Sequence, residues 1–317
     1  MGVALESGAA PASKPSFKER FKAWWEGYEL APAAPESAPP AAAPAPTPEP
    51  EAEPAGPVGL DPSAITVMQQ IWGEGFSRPG GAASILTLVK PFALNPSMTV
   101  MDFGAGLGGG TRTVSNEFGV WVYGFEPDPN QAAVAQELSV KKGAKKAEIK
   151  SYATHDFQPK AGSYDCIYSS EALYSVADKD KLLGIFERAL KARGQIAITD
   201  FVRTEGTADN DPRLADFVTR DGKKGHFWKN ADYHARMKAL KFDVRVDEDL
   251  TDAYRSSIIE AWVNFTQDAS GTAYARAHPN ELVTEVTLWT KRVAALDSGA
   301  LQLRRYYAIK MGSSKSS

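Results

Sequence analysis

Residues 100–110 have the sequence Val-Met-Asp-Phe-Gly-Ala-Gly-Leu-Gly-Gly-Gly, an apolar run that ends in an acid and a glycine cluster. A helical pattern follows, so the stretch predicts a strand whose carboxyl end turns sharply beneath a nucleotide-like ligand. Glycine is needed in such a turn because its backbone angles are closed to other residues and because a Cβ would block the ligand. The stretch predicts a nucleotide-binding α/β fold and leaves the ligand open.

Composition narrows the class of protein. The chain has 317 residues, a formal net charge of -3 at pH 7 and one cysteine, Cys166. This charge gives no electrostatic reason to expect nucleic acid as a partner. A single cysteine and four histidines without metal-ligand spacing predict neither a disulfide nor a metal site. There is no run of eighteen apolar residues and no secretion signal, so we expect a cytoplasmic protein.

The first 59 residues differ from the rest of the chain. Residues 31–59 are rich in Ala and Pro, a composition typical of a disordered linker. Residues 1–30 are expected to form a tail with an amphipathic aromatic helix, which either docks on its own domain, stays poorly ordered, or binds elsewhere. In the last case residues 16–30 would contact a protein partner or a membrane surface, and the protein would be peripheral to the membrane. The aromatic positions are Phe17, Phe21, Trp24, Trp25 and Tyr28.

From residue 60 onward, helical and strand-like segments alternate, which predicts one domain over residues 60–312. Such alternation implies right-handed crossovers and a mostly parallel, twisted sheet with helices on both faces, the Rossmann-like α/β class. Besides the glycine-rich strand, the predicted strands are 120–125, 147–152, 164–169, 195–201, 244–247 and 306–310. The predicted helices are 63–72, 80–90, 130–142, 179–192, 230–240 and 253–266.

Acids near the predicted strand ends bear on which ligand binds. No Gly-Lys-Ser/Thr follows the glycines, which argues against a phosphate loop of the ATPase kind. Glu126 follows about twenty residues later, where it can accept hydrogen bonds from both ribose hydroxyls of a nucleotide, NAD included. Asp102 suits a ligand that carries an amino acid's ammonium group better than one with a pyrophosphate. Asp156 can accept from an adenine amino group while Phe157 packs on the ring.

These motifs together resemble class I S-adenosylmethionine (AdoMet)-dependent methyltransferases, in segments 102–110, 124–126, 155–157 and 164–169. Segments 72–81, 198–201, 289–292 and 305–307 are similar to phosphoethanolamine N-methyltransferases in particular. The resemblance implies AdoMet as the cofactor and a small polar molecule, an amine or phospho-amine, as the methyl acceptor. With Asp102 added, the expected cofactor-binding residues are Ser77, Asp102, Gly104, Gly106, Glu126, Pro127, Asp156, Phe157 and Ser169.

The residues expected to act on the methyl acceptor depart from the family pattern. That family pairs a tyrosine before the first strand with a histidine, and here Leu60 and Ser175 stand at those two positions. Tyr174 is the candidate substitute, and Glu171 stands at the family's aspartate position. The expected catalytic residues are Glu171, Tyr174 and Ser175, and the expected substrate-binding residues are Arg220, Trp228 and Arg292.

Three functions stay open from the sequence. The first is methyl transfer to an amine or phospho-amine head group. The second is transfer to an oxygen or carbon of a quinone- or lipid-like molecule, which would need an apolar funnel. The third is a catalytically idle AdoMet-binding protein that serves interactions, suggested by the missing Tyr/His pair and by the tethered aromatic helix.

Overall fold

One seven-stranded sheet organises the chain, for which a computed structural model describes residues 59–153, 156–220 and 222–312. The strands are β1 (Thr99–Phe103), β2 (Trp121–Glu126), β3 (Ala147–Ser151), β4 (Tyr164–Ser170), β5 (Leu190–Arg203), β6 (Phe242–Asp249) and β7 (Leu301–Lys310). Their order is β3-β2-β1-β4-β5-β7-β6. The first five strands pair in parallel, and β7 runs antiparallel to β5 and β6. The predicted Rossmann-like, mostly parallel fold is confirmed.

Helices connect and cover the strands. In chain order they are α1 (Pro62–Trp72), α2 (Gly81–Val89), α3 (Gly109–Phe118), α4 (Pro129–Lys141), α5 (Lys179–Ala189), α6 (Pro212–Ala215), α7 (Asn230–Ala239), α8 (Thr251–Gln267), α9 (Ala269–Ala277) and α10 (Pro279–Asp297). Asp61, Asp128 and Asp178 begin α1, α4 and α5, each accepting a backbone N–H of the first turn. Such caps satisfy donors that have no partner within the helix.

Alternation along the strands divides the core between the two faces of the sheet. Val100 and Cys166 pack on one face with Ile85 of α2 and Val114 of α3. Their neighbours on the same strands, Met101 and Ile167, pack on the other face, in a cluster that holds side chains of α5 and α7. Because successive side chains of a strand point to opposite faces, the predicted covering of both faces follows directly from the sequence.

A third cluster lies outside this two-faced pattern. It joins α1, α8 and α10 to residues 201–227 and is rich in aromatic side chains. Helices α9 and α10 are absent from the sequence prediction, although Leu282, Trp289, Val293 and Leu296 have helical spacing and are buried. That spacing is the signal that identifies α10.

Other boundaries differ by a few residues. The helix expected over residues 179–192 ends at Ala189, because Leu190 already pairs with Tyr164 of β4 and begins the 14-residue β5. The aromatic helix and the linker, expected in residues 1–30 and 31–59, lie outside the described residues, except for residue 59. Within the described ranges, no helix is long and apolar enough to cross a membrane.

Candidate active site

The loop after β1 runs so close to its neighbours that only glycine fits. Gly104 and Gly106 have φ angles of 77° and 55°, in the left-handed region. A Cβ on Gly104 would lie 2.2 Å from Cβ of Ala172, and one on Gly106 would lie 3.1 Å from Oγ of Ser77. The N–H of Gly104 donates to the carbonyl of Phe125 at 2.8 Å, which ties the loop to β2. The loop thus forms a backbone cradle at the carboxyl end of the sheet.

Glu126 ends β2 next to this loop, with only 5% of its surface exposed. Its Oε2 accepts the N–H of Gly106 at 2.7 Å, and its Oε1 accepts the N–H of Asp128 at 3.0 Å. Burial raises the pKa of Glu126 to about 7, although these hydrogen bonds and the charge of Arg78 oppose the rise. Each carboxylate oxygen can accept more than one hydrogen bond, so Glu126 keeps capacity for the hydroxyl groups of a ligand.

Asp102 lies within β1 and is held by two hydroxyl groups. Its Oδ2 accepts hydrogen bonds from Thr111 Oγ1 and from the Tyr168 hydroxyl, each at 2.7 Å. Burial raises the pKa of Asp102, and the two hydrogen bonds and Arg78 oppose that rise. The residue therefore links β1, α3 and β4 while it lines the cleft described next.

A cleft lies between the glycine loop and the segment that joins α1 to α2. Ser77 contributes to its wall, and the neighbouring Arg78 donates from Nη2 to the carbonyl of Gly104 at 3.0 Å. Sequence reasoning passed over Arg78, whose only signal was a cation within an otherwise uncharged run, Gly75 to Gly81. The polar or loop residues that line the cleft include Ser77, Arg78, Asp102, Gly104, Ala105 and Ser170.

The remaining expected cofactor residues lie outside the lining of this cleft. Phe157 is buried, with ring centroids 5.2 Å from Phe103 and 4.8 Å from Tyr152. Asp156 is exposed beside it, and Pro127 is half-buried between Glu126 and Asp128. The roles of Asp156, Phe157 and Pro127 toward a ligand stay predictions.

Ser169 is fully buried, and its hydroxyl donates to the carbonyl of Phe103 at 2.9 Å. This bond joins β4 to β1 and gives the side chain a structural partner. The next residue, Ser170, lines the cleft instead. Because successive side chains of a strand point to opposite faces, Ser169 and Ser170 lie on different sides of β4.

A group of buried rings, which we call the aromatic cluster, lies beyond the end of β4. The Trp72 and Trp289 ring centroids are 4.6 Å apart, those of Tyr174 and Phe217 are 5.6 Å apart, and Tyr254 is 6.4 Å from Trp289. The five residues come from α1, α8, α10 and two loops, so their proximity depends on the tertiary fold. All five are buried.

Arg220 and Glu285 form an ion pair at the edge of the aromatic cluster. The two Arg220 nitrogens donate to the two carboxylate oxygens at 2.5 and 2.8 Å, and Arg220 Nη2 also donates to the Ser77 carbonyl at 2.8 Å. Glu285 Oε1 further accepts the indole N–H groups of Trp72 and Trp289. Burial favours a raised pKa for Glu285, but the charge and hydrogen bonds of Arg220 and the two indoles bring it below its ordinary value. Arg220 thus connects the cleft wall to α10.

Arg292 is buried in the aromatic cluster without a carboxylate partner among the described residues. Its Nη2 donates to the Tyr174 hydroxyl at 2.9 Å and, more weakly, to the Val218 carbonyl at 3.4 Å. Its guanidinium carbon is 4.8 Å from the centroid of the Trp289 ring, and its Nε is buried without a hydrogen-bond partner. A buried cation with a vacant donor favours an anionic ligand group.

Glu171 stands where the cleft and the aromatic cluster meet. It follows Ser170 of the cleft, has a φ of 51°, and accepts a hydrogen bond from the Tyr254 hydroxyl at 2.5 Å. Burial raises the pKa of Glu171, while the charges of Arg78 and Arg292 and the bond from Tyr254 oppose the rise. A left-handed backbone at a non-glycine residue is costly and occurs often at functional sites. Sequence reasoning found Glu171 and missed Tyr254, whose distance of 83 residues along the chain gives no local signal.

The other residues expected to act on the methyl acceptor do not all lie together. Tyr174 lies in the aromatic cluster, and its backbone N–H donates to Asp200 at 2.8 Å. Ser175 is exposed and donates to the Ala172 carbonyl, and Leu60 packs against the aromatic cluster. Trp228 packs on Tyr233 at 5.2 Å, in the core of one sheet face, apart from Arg220 and Arg292.

Among the residues that the structure describes, no group of three or more His, Cys, Asp or Glu side chains could hold a metal ion.

Comparisons with known proteins agree with this geometry. Residues 78–245 match a family described as a methyltransferase domain. Phosphoethanolamine N-methyltransferase 2 of Caenorhabditis elegans is 29% identical over 202 residues, which cover 62% of this chain and 45% of that protein. Phosphoethanolamine N-methyltransferase of Plasmodium falciparum is 27% identical over 198 residues, or 62% of this chain and 72% of that protein.

A solved structure shares the fold. Haemonchus contortus phosphoethanolamine N-methyltransferase 2, in complex with phosphomonomethylethanolamine and S-adenosylhomocysteine, matches with a TM-score of 0.68 at 24% identity, over 78% of this chain and 57% of that one. The chain spans less than half the length of the C. elegans protein. The family match covers 168 of 317 residues, counted from its bounds, and the chain belongs to the family of methyltransferase domains.

Proposed function

We propose that this chain transfers the methyl group of AdoMet to the nitrogen of a small amine that carries an anionic group, of the phosphoethanolamine type. The observation that carries the proposal is that Glu171 follows Ser170 of the cleft, is hydrogen-bonded to Tyr254 of the aromatic cluster, and interacts with the charges of both Arg78 and Arg292. One arginine belongs to the predicted cofactor side and the other to the predicted acceptor side. The active domain is proposed to be residues 60–312.

The cleft suits AdoMet. The glycine loop leaves room for close approach of a ligand, and Glu126 at the end of β2 has acceptor capacity for ribose hydroxyls. Carboxylates and aromatic rings also suit the cofactor's positive sulfonium. The relatives named above are methyltransferases, and the solved relative was captured with S-adenosylhomocysteine. AdoMet supplies the methyl group when bound, and the remaining steps fall to the chain's own side chains.

The acceptor side has groups for both ends of a phospho-amine. An amine is protonated at neutral pH, so it must lose a proton before its lone pair can attack the methyl carbon. Glu171 is the proposed proton acceptor, and Tyr254 holds its carboxylate by a hydrogen bond. The N–C bond forms as the S–C bond breaks, and the electron pair stays on sulfur. Arg292, which lacks a carboxylate partner, is proposed to hold the anionic group.

Calorimetry with AdoMet, followed by transfer of a labelled methyl group, tests the proposal. Phosphoethanolamine should accept methyl, whereas ethanolamine, which lacks the phosphate, should accept it about 10- to 100-fold more slowly. In the Arg292→Met variant that difference should shrink while AdoMet affinity is unchanged. Binding of AdoMet without transfer to any amine would indicate the idle interaction protein instead.

A Glu171→Gln variant tests the proton acceptor. Its turnover should fall by about 10²- to 10⁴-fold, the usual contribution of a general base, with little change in AdoMet affinity. Glu260→Gln, an exposed change on α8, is the matched control and should behave as wild type. Full turnover in Glu171→Gln contradicts the role of Glu171.

A specific observation also favours the quinone- or lipid-like acceptor. The aromatic cluster offers large apolar surfaces, and a 2-methyl-6-phytyl-1,4-hydroquinone methyltransferase of Synechocystis is 30% identical over 108 residues. Methyl transfer to a hydroquinone in the same assay, with none to phosphoethanolamine, would support this second function. Arg292 is unfavourable for a quinone- or lipid-like acceptor, because an apolar acceptor would leave the buried Nε of Arg292 without a hydrogen-bond partner.

A further inference from the structure

Arg78 lies in the cleft with part of its hydrogen-bonding capacity unused. Nη2 donates to the Gly104 carbonyl at 3.0 Å, and Nη1 is buried and has no hydrogen-bond partner in the part of the chain that the structure describes. A Cβ placed on Gly106 would lie 3.3 Å from Nη2 of Arg78, so the guanidinium sits directly against the glycine loop. A buried charged donor without an acceptor is unfavourable, which indicates a partner that binds there.

Three carboxylates interact with the charge of Arg78 without forming a hydrogen bond to it. The buried Asp102 and Glu126 and the half-buried Glu171 all interact with its positive charge, yet among the described hydrogen bonds none of these carboxylates accepts one from Arg78. Asp102 is already bonded to Thr111 and Tyr168, Glu126 to two backbone N–H groups, and Glu171 to Tyr254. The carboxylates have other partners, so among the described residues none of them fills the vacancy at Nη1, and a bound ligand with an acceptor group would fill it.

AdoMet contains one anionic group. Its sulfonium and its amino group are cationic, its adenosine is neutral, and only the carboxylate of its methionine part can accept charge-assisted hydrogen bonds from a guanidinium. A cationic ligand without that carboxylate would instead be repelled by Arg78.

On the basis of the proposed function, we infer that Arg78 binds the methionine carboxylate of AdoMet through its vacant Nη1 and thereby selects AdoMet over cationic sulfonium nucleosides that lack a carboxylate. The same contact sets the direction of the ligand. The carboxylate end lies against Arg78 at the glycine loop, and Glu126 remains for the ribose.

Calorimetry with two ligands tests this assignment. The probes are AdoMet and decarboxylated AdoMet, which keeps the sulfonium, the amine and the adenosine. Wild-type protein should bind AdoMet about 10- to 100-fold more tightly than the decarboxylated form. Arg78→Met should lose this preference, mainly because AdoMet binds more weakly. Arg78→Lys, which keeps the charge without the planar fork, should retain part of it. Arg245→Met, an exposed change on β6, is the control and should keep the full preference.

The outcomes separate the two proposals. If wild-type protein does not bind AdoMet, the proposed function fails and the assignment of Arg78 fails with it. If wild type binds AdoMet but Arg78→Met weakens both ligands equally, or tightens both, the carboxylate contact alone is overturned. If Arg78→Met does not fold, as judged by its melting curve without ligand, the Arg78→Lys ratio decides, since an unchanged preference there contradicts recognition by the guanidinium fork.

Discussion

The cofactor cleft and the aromatic cluster lie side by side but are built by different means. Five glycines and Asp102 of β1 are among the residues that line the cleft, and Glu126 ends the neighbouring strand beside the glycine loop. The aromatic cluster consists of side chains from three helices and two loops, with the buried Arg220–Glu285 pair and Arg292 among them. The cleft is therefore sensitive to added atoms, and the aromatic cluster is sensitive to a lost charge partner. The first two predictions below compare these two kinds of damage.

Loss of the Glu285 charge should have the largest effect on stability. In Glu285→Gln the Arg220 side chain, which is only 16% exposed, loses its carboxylate, which should lower the free energy of unfolding by about 3 to 5 kcal/mol. Urea unfolding curves measure the change. Glu248→Gln breaks the pair with Arg305, in which Glu248 is 48% exposed, and should cost less than about 1 kcal/mol. Equal losses in both variants would mean that burial does not distinguish the two pairs.

An added methyl group at Gly104 should damage the cleft somewhat less. In Gly104→Ala the new Cβ meets Ala172 at 2.2 Å and the residue keeps a φ of 77°, so unfolding free energy should fall by about 2 to 4 kcal/mol and AdoMet binding should be lost. Gly143→Ala is matched, because its φ is 64° but nothing lies within 4 Å of a new Cβ. That control should show backbone strain of about 1 kcal/mol and normal binding. Retained AdoMet binding in Gly104→Ala would show that the loop can move aside.

The smallest expected effect is a pH dependence of ligand binding through Glu126. Ribose hydroxyls donate to the ionised carboxylate, and the pKa of Glu126 is raised by burial to about 7, so the affinity for the neutral probe adenosine should rise as pH increases through that value. The expected change is about tenfold between roughly pH 6 and 8. Glu126→Gln should bind weakly with a flat pH profile. A wild-type affinity that falls with rising pH would contradict the assignment of Glu126 to the ribose.

The local sequence pattern was enough to predict the strand and the turn that form one wall of the cleft. The apolar run that ends at Asp102 and the glycines after it predicted β1 and its turn, and Glu126 was predicted as a ligand residue from its distance to those glycines. A strand end, a turn and an acid on the next parallel strand are linked by short-range geometry, so their spacing along the chain carries the information. Ser169 and Ser170 show the limit of this approach, since spacing along the chain did not indicate that the Ser169 hydroxyl bonds to Phe103 while Ser170 lines the cleft.

The aromatic cluster could be predicted only in part. Glu171, Tyr174, Arg220 and Arg292 were predicted as site residues, but Tyr254 and Glu285, to which Glu171 and Arg220 are hydrogen-bonded, were not. Trp228 was expected at the acceptor and packs on Tyr233 instead. Arg292 and Tyr174 are 118 residues apart in sequence, and no local periodicity specifies such a contact.

The sequence by itself determined the parallel sheet, the glycine cradle and the membership of a methyltransferase family, because each depends on spacings within one strand–helix–strand unit. Only the tertiary structure decided which charges are paired. It gave Glu285 to Arg220 and Tyr254 to Glu171, and it left Arg78 and Arg292 each with a buried, vacant donor. The physical reason is that hydrogen-bond satisfaction is a property of the packed interior, where residues from distant segments compete for the same acceptors.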